Sequence, residues 1–210
     1  MSINKIFIIG LPRTATTSVC LAFLGLGYKT AHNAYTQYAF SEAQVLADTP
    51  IFCDYQTLDK DFPNSKFIYL TREASLWLPS IKQLLQRMIV NLQRDDGGFN
   101  PHLKRCYNEV FTPLTADNIE LDEFLLSCYQ RHQQGVYDYF SNRKEDILTL
   151  DVSDEHSYQA LLDFLNVNQL DENKIGFKPI NIGGKVKAWQ AINNKLKIES
   201  TNKGKIDKVL

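Results

Sequence analysis

The stretch KIFIIGLPRTATTSVCLAFLGLG, residues 5–27, constrains the fold more than any other part of the chain. Ile6 to Ile9 form an unbroken apolar run, the habit of a strand buried on both faces of a parallel sheet. Gly10 permits a sharp turn after it, and Thr17 to Leu26 reads as a helix that Gly27 can end. A strand that turns into a helix N-terminus offers unpaired N–H groups and the positive end of a helix dipole. Arg13 adds a guanidinium fork suited to phosphate oxygens, and Thr14, Thr16, Thr17 and Ser18 add hydroxyl donors. One arginine and four hydroxyls exceed what capping a helix requires, so the turn reads as an anion cradle. A loop built for a magnesium nucleotide would carry Gly-Lys-Thr where this chain has Ala15-Thr16-Thr17. With Thr16 in the lysine position, a ligand less charged at this end, bound without a metal, fits better than ATP.

The rest of the chain alternates strands and helices. KFIYLT, residues 66–71, is a second buried strand after the turn signal FPNS, and DILTLD, 146–151, is the third good strand. A short strand is expected around 28–31 and a helix from about 34 to 47. Trp77, Ile81, Leu84, Leu85, Met88, Ile89 and Leu92 recur at helical spacing, with Pro79 near the start of that helix. A helix over about 121–140 puts Leu125, Cys128, His132, Val136 and Tyr139 on one face, and Ser153 or Asp154 is expected to cap a last one bearing Tyr158, Leu161, Leu162 and Leu165. Between 94 and 118 periodicity disappears, and Gly97-Gly98, Pro101 and Pro113 imply a long irregular insertion of the kind that covers substrates. The polar tail, 194–210, is expected to be poorly ordered. The pattern is α/β: one domain, 1–210, with a parallel sheet flanked by helices on both faces. Ligands of such sheets sit at the carboxyl ends of the strands, where Gly10, Arg72 and Asp151 all fall.

Composition narrows the partners. The formal net charge of −1 gives no global field for nucleic acid or an anionic membrane, so any anion site is local. The apolar run after Lys5 is too short to span a membrane or to form a signal peptide. Cys20, Cys53, Cys106 and Cys128 are widely spaced and read as free thiols in a reducing compartment, which implies a cytoplasmic protein. Oligomeric state is not legible.

GLPRTATTS resembles the 5′-phosphosulfate loop of sulfotransferases, enzymes that bind 3′-phosphoadenosine 5′-phosphosulfate; their loop reads Pro-(Lys/Arg)-(Ser/Thr)-Gly-Thr-Thr. Ala15 replaces the glycine, a small change if its φ is negative. Members of that family also follow a central strand with an arginine and, eight residues on, a serine, which together hold the 3′-phosphate; FIYLTREASLWLPS supplies Arg72 and Ser80 at that spacing. FPNSKFIYLTRE, RHQQGVYDYFSNRKEDILTLDV and SYQALLDFLN also look like blocks of bacterial members. The resemblance covers most of residues 5–166 and fades over 94–120 and at the carboxyl terminus. It implies a P-loop-type fold that binds the donor, and its product 3′,5′-adenosine bisphosphate, through Arg13, Thr14, Ala15, Thr16, Thr17, Ser18, Arg72 and Ser80, with no metal required.

Direct sulfuryl transfer needs a base for the acceptor's proton and positive charge on the leaving phosphate oxygen. The resemblance gives Arg13 the leaving-group role. Cytosolic members carry their basic histidine two residues before a proline, upstream of the 3′-phosphate arginine, and some members use a carboxylate instead. Asp48 lies two residues before Pro50 and 24 before Arg72, which makes it the candidate base, with His32 second and Asp54 and Tyr55 behind. His132 reads as a core or rim residue, His102 as a residue of the irregular insertion that either meets an acceptor or, like most loop histidines, does nothing specific, and His156 as an exposed first-turn residue. Trp77 fits a helix core, Trp189 a lid or simple packing, and Gly184-Lys185 a closing segment or a solvated turn. The acceptor is a small molecule or a glycan. Two other readings stay open: a P-loop NTPase or small-molecule kinase using Asp151 for magnesium, and a nucleotide-binding protein without catalysis.

Overall fold

The computed structural model describes residues 5–167, 176–177, 181–182, 185–186 and 189–207. Five parallel strands form its sheet: β1 (Ile6–Ile8), β2 (Thr30–Ala31), β3 (Val45–Ala47), β4 (Lys66–Thr71) and β5 (Ile147–Asp151), in the order β2-β3-β1-β4-β5. Period-2 alternation assigns the side chains to the two faces. Phe7, Ile9, Leu46, Phe67 and Tyr69 point to one side, where they pack with Val136 of α6 (Asp122–Tyr139) and Leu58 of α3 (Tyr55–Asp61). Ile6, Ile8, Val45, Ile68, Leu70 and Leu150 point to the other, against Val19 and Phe23 of α1 (Thr16–Gly25) and Leu161 of α7 (Ser157–Phe164). The chain is therefore an α/β protein with a parallel sheet covered on both faces.

A third apolar cluster joins the loop after β1 to the helices beyond the sheet. Leu11 and Phe52 pack there with Trp77, Ile81 and Leu85 of α4 (Ala74–Gln93), Cys106 and Tyr107 of α5 (Pro101–Val110), and Leu125 and Cys128 of α6. Glu73 starts α4 by accepting from the Ser75 and Leu76 amides at 3.0 and 3.2 Å. Pro79 lies inside that helix rather than in its first turn, and the helix continues through it.

Four expectations need correction. The helix over 34–47 is in fact a six-residue helix, α2 (Gln37–Glu42), followed by strand β3. Pairing on both sides with β2 and β1 outweighs the helical tendency of FSEAQVLA, and it puts Asp48 directly at a strand's carboxyl end. The insertion is not structureless: Asn100 caps α5 by accepting from the Leu103 amide at 3.0 Å, and Pro101 occupies its first turn. Neither Ser153 nor Asp154 caps α7; Asp154 accepts from the His156 amide one step before the helix begins. The tail is tied to the sheet edge, since Thr30 exchanges backbone bonds of 2.9 Å with Leu196 and Ile198, and Asp207 accepts from the Gln37 amide at 2.8 Å. Two further strands, β6 (Asn181–Ile182) and β7 (Lys185–Val186), pair antiparallel. Lys185 lies in β7 and Gly184 lies outside the described residues.

Candidate active site at the strand ends

Gly10 is required by proximity. A Cβ there would meet Leu70 Cβ at 2.5 Å and Thr14 Oγ1 at 2.6 Å, so the loop after β1 can lie against β4 only without a side chain. The loop is then fastened from both sides. Trp77 Nε1 donates to the Pro12 carbonyl at 3.0 Å, and Thr14 Oγ1 donates to the Leu11 carbonyl at 2.7 Å. Thr14 is thus a buried strut whose hydroxyl is already used.

Arg13 and Ala15 both adopt left-handed backbone, with φ of 74° and 71°. Ala15 therefore does not keep the negative φ that would have made its replacement of glycine inconsequential. Alternating handedness turns successive N–H groups inward, the form of a backbone anion nest. No side chain caps α1. The amides of Ala15, Thr16 and Thr17 find no acceptor among the described residues, the state in which a helix N-terminus receives an anion.

Arg72 and Ser80 interlock with this loop. Arg72 Nη1 donates to the Arg13 carbonyl at 2.8 Å, while Arg13 Nε donates to the Ser80 carbonyl at 3.3 Å. The Arg72 amide donates to the Tyr129 hydroxyl at 3.0 Å, fixing the exit from β4. Burial, and after it Arg87, push the Arg13 guanidinium down from its ordinary value, with Tyr107 and Asp48 opposing; an arginine stays charged under such shifts.

On the other wall, Asp48 and His32 face one another at the ends of β3 and β2. His32 Nδ1 lies 3.6 Å from Asp48 Oδ2, and its Nε2 lies 2.9 Å from Thr17 Oγ1 and 3.3 Å from Thr16 Oγ1. Burial lowers the His32 pKa and Asp48 pulls it back up. A neutral imidazole matches this geometry, with Nε2 hydrogen-bonded to the Thr17 hydroxyl and Nδ1 beside the carboxylate and 3.4 Å from the Asn33 side-chain amide. Both His32 nitrogens are therefore engaged by the protein, whereas among the described residues Asp48 Oδ1 takes only the Thr49 hydroxyl, at 3.2 Å. Trp189 stacks on the His32 ring with centroids 5.5 Å apart.

One cavity of about 730 Å³ is lined by every residue from Arg13 to Ser18 together with Asp48, His32, Arg72 and Ser80. Asp151 also borders it, but its Oδ1 accepts from both the amide and the hydroxyl of Ser153, at 2.9 and 2.6 Å. Asp54 is held by Arg105 through contacts of 2.9 and 2.5 Å, and Tyr55 belongs to the core. His132 is half-buried, with Nε2 2.9 Å from the Phe52 carbonyl; His102 lies in α5 rather than in a loop and stacks on Tyr35, and His156 is exposed. The residue that sequence reading missed is Tyr107, which lines the same cavity from α5. Asn100-Pro101 was the signal that would have started the helix carrying it.

Among the described residues no helix is long and apolar enough to cross a membrane. No curated protein matches the chain. A family model described as "Sulfotransferase domain" matches residues 33–181, a stretch that contains Asp48, Arg72, Ser80 and Tyr107 and begins after the loop. That match covers well over half of the 210 residues, and the chain belongs to the sulfotransferase family.

Proposed function

We propose that this transferase moves a sulfuryl group from 3′-phosphoadenosine 5′-phosphosulfate to a hydroxyl or amine of a small-molecule or glycan acceptor, in one domain and in the cytoplasm. The observation that carries the reading is the single cavity in which the loop, the Arg72–Ser80 pair and Asp48 converge from three strand ends. The residues fit the donor. An amide nest beside Arg13 suits a phosphate that needs no metal, and Arg72 with Ser80, both bonded to Arg13 and lining the same cavity, suits a second phosphate.

The donor supplies an activated sulfuryl group on a phosphate leaving group. Asp48 takes the proton from the acceptor's O–H or N–H as that atom's lone pair forms the new bond to sulfur. Arg13 and the amides of Ala15, Thr16 and Thr17 hold the charge left on the 5′-phosphate oxygen when its bond to sulfur breaks. His32 keeps Asp48 and the Thr17 hydroxyl in register rather than acting as the base, because both of its nitrogens have protein partners. Helix α5 and its flanks, within 94–120, form the acceptor side.

The test compares 3′,5′-adenosine bisphosphate with 5′-AMP in the natural protein and in Arg72→Met. Charge-assisted hydrogen bonds contribute about 1.5–3 kcal/mol, so the natural protein should prefer the bisphosphate by at least about tenfold and the variant should lose that preference. The 5′-AMP arm reports any loosening of the loop through the lost Arg13 contact. An equal preference in both proteins would remove Arg72 from the 3′-phosphate site.

A further inference from the structure

Tyr107 has a feature that packing does not explain. Its ring is wedged in the helical cluster, edge-on to Phe52 at 6.1 Å and tilted against Phe111 at 5.8 Å, and the residue is only 3% exposed. A tyrosine buried to that degree ordinarily finds a partner for its hydroxyl. Four other tyrosines turned into the protein have such partners: Tyr129 with the Arg72 backbone, Tyr139 with Asp59, Tyr35 with Asn33 and Tyr55 with Gln56, whereas buried Tyr158 shares with Tyr107 the absence of one among the described residues. The Tyr107 hydroxyl makes no hydrogen bond among the described residues.

Nor is that hydroxyl sealed away. Among the described residues the buried side-chain polar atom enclosed without a partner is His132 Nδ1, not the Tyr107 oxygen. Tyr107 lines the 730 Å³ cavity, so its hydroxyl opens into that space. Asp48 and Arg13 line the same cavity and both act on the phenol electrostatically, so the hydroxyl shares that space with the candidate base and the leaving-group cation. Burial, Asp48 and Tyr35 together hold the phenol well above its ordinary pKa. It can donate a hydrogen bond but does not serve as a base. Phenylalanine would fill the same volume without a polar atom to desolvate.

We propose that Tyr107 is a catalytic residue whose hydroxyl donates a hydrogen bond to a non-bridging oxygen of the sulfuryl group, in the cavity it lines with Asp48 and Arg13. The assignment rests on the donor proposed above, and it gives α5 a part in the chemistry beyond covering the acceptor. The sulfuryl oxygens carry the negative charge of the group in flight, and a preorganised donor aimed at them needs no rearrangement during transfer.

The experiment measures dissociation constants for 3′-phosphoadenosine 5′-phosphosulfate and for 3′,5′-adenosine bisphosphate, without acceptor, in the natural protein and in Tyr107→Phe. The two ligands differ by the sulfuryl group. The expected result is unchanged bisphosphate affinity and about tenfold weaker phosphosulfate affinity in the variant. A residue that merely packs would leave the ratio of the two constants unaltered, and that result overturns the proposal for Tyr107 alone. If the natural protein binds neither ligand, the proposed function falls and Tyr107's role with it. Should Tyr107→Phe lose bisphosphate binding by misfolding, Tyr107→Leu gives the same ratio with a smaller side chain.

Discussion

Replacing Ala15 by glycine tests the loop geometry at its most exacting point. Ala15 sits at φ 71° and ψ 26°, left-handed backbone in which an L side chain crowds the following carbonyl. That conformation costs a non-glycine residue about 1–2 kcal/mol. Glycine adopts it freely but gives up about 0.5–1 kcal/mol of chain entropy on folding. The difference leaves Ala15→Gly more stable by about 0.5–1 kcal/mol. For a chain of 210 residues each kcal/mol shifts the midpoint by about 2–4 °C, so the rise should be about 2 °C. Thermal and urea unfolding of the unliganded protein would measure it. The amides that face the cavity belong to the backbone and survive the change, so bisphosphate affinity should stay within about threefold. A fall of 0.5–1 kcal/mol instead would be the bare entropy cost of glycine, and it would refute a left-handed Ala15.

Gly10→Ala should act in the opposite direction. Its Cβ would lie 2.5 Å from Leu70 Cβ and 3.0 Å from the Leu70 carbonyl, so β1 and β4 must part, at a cost of about 1–3 kcal/mol in urea titrations and with weaker bisphosphate binding; an unchanged urea midpoint would contradict the close approach. The pH dependence follows from His132, whose imidazole burial pushes down to about 4 from an ordinary 6.5, against the Phe52 carbonyl. Because the folded pKa is the lower one, the unfolded chain binds the proton first. Stability is complete above pH 6.5 and falls as pH drops from 6.5 toward 4, by on the order of 3 kcal/mol, with His32 shifted in the same direction. Stability curves of the natural protein and His132→Phe should converge in slope above pH 6.5 and diverge below it; parallel curves throughout would exclude His132 as the cause.

The legible parts of this fold announce themselves locally. Ile6–Ile9 and KFIYLT are apolar runs that only a doubly covered sheet can bury, and the residues at their ends gave the loop and Arg72 directly, while ILTLD forms the edge strand in which Leu150 alone is buried. Strand β3 was hidden because FSEAQVLA favours a helix in isolation, and only its slot between β2 and β1 makes Val45–Ala47 extended. Helix α5 was hidden by Gly97-Gly98, whose breaking signal masked the Asn100-Pro101 start just beyond it. The positive φ at Ala15 is set by the nest and by contacts of Arg13 with Ser80 and Arg72, none of which alanine's own identity reveals. His32 reaching Thr17, and Tyr107 reaching the cavity that Asp48 and Arg13 line, depend on elements far apart in sequence, so no local pattern carries them.

The most direct measurement is thermal unfolding with 3′,5′-adenosine bisphosphate, set against ADP and ATP, each with and without magnesium. A ligand at about a hundred times its dissociation constant stabilises the folded chain by about 2.7 kcal/mol, a shift of several degrees at this size. A shift specific to the bisphosphate and indifferent to magnesium is the predicted result. Stabilisation by ATP alone, and only with magnesium, would contradict the donor assignment and return Asp151 to the centre of the site.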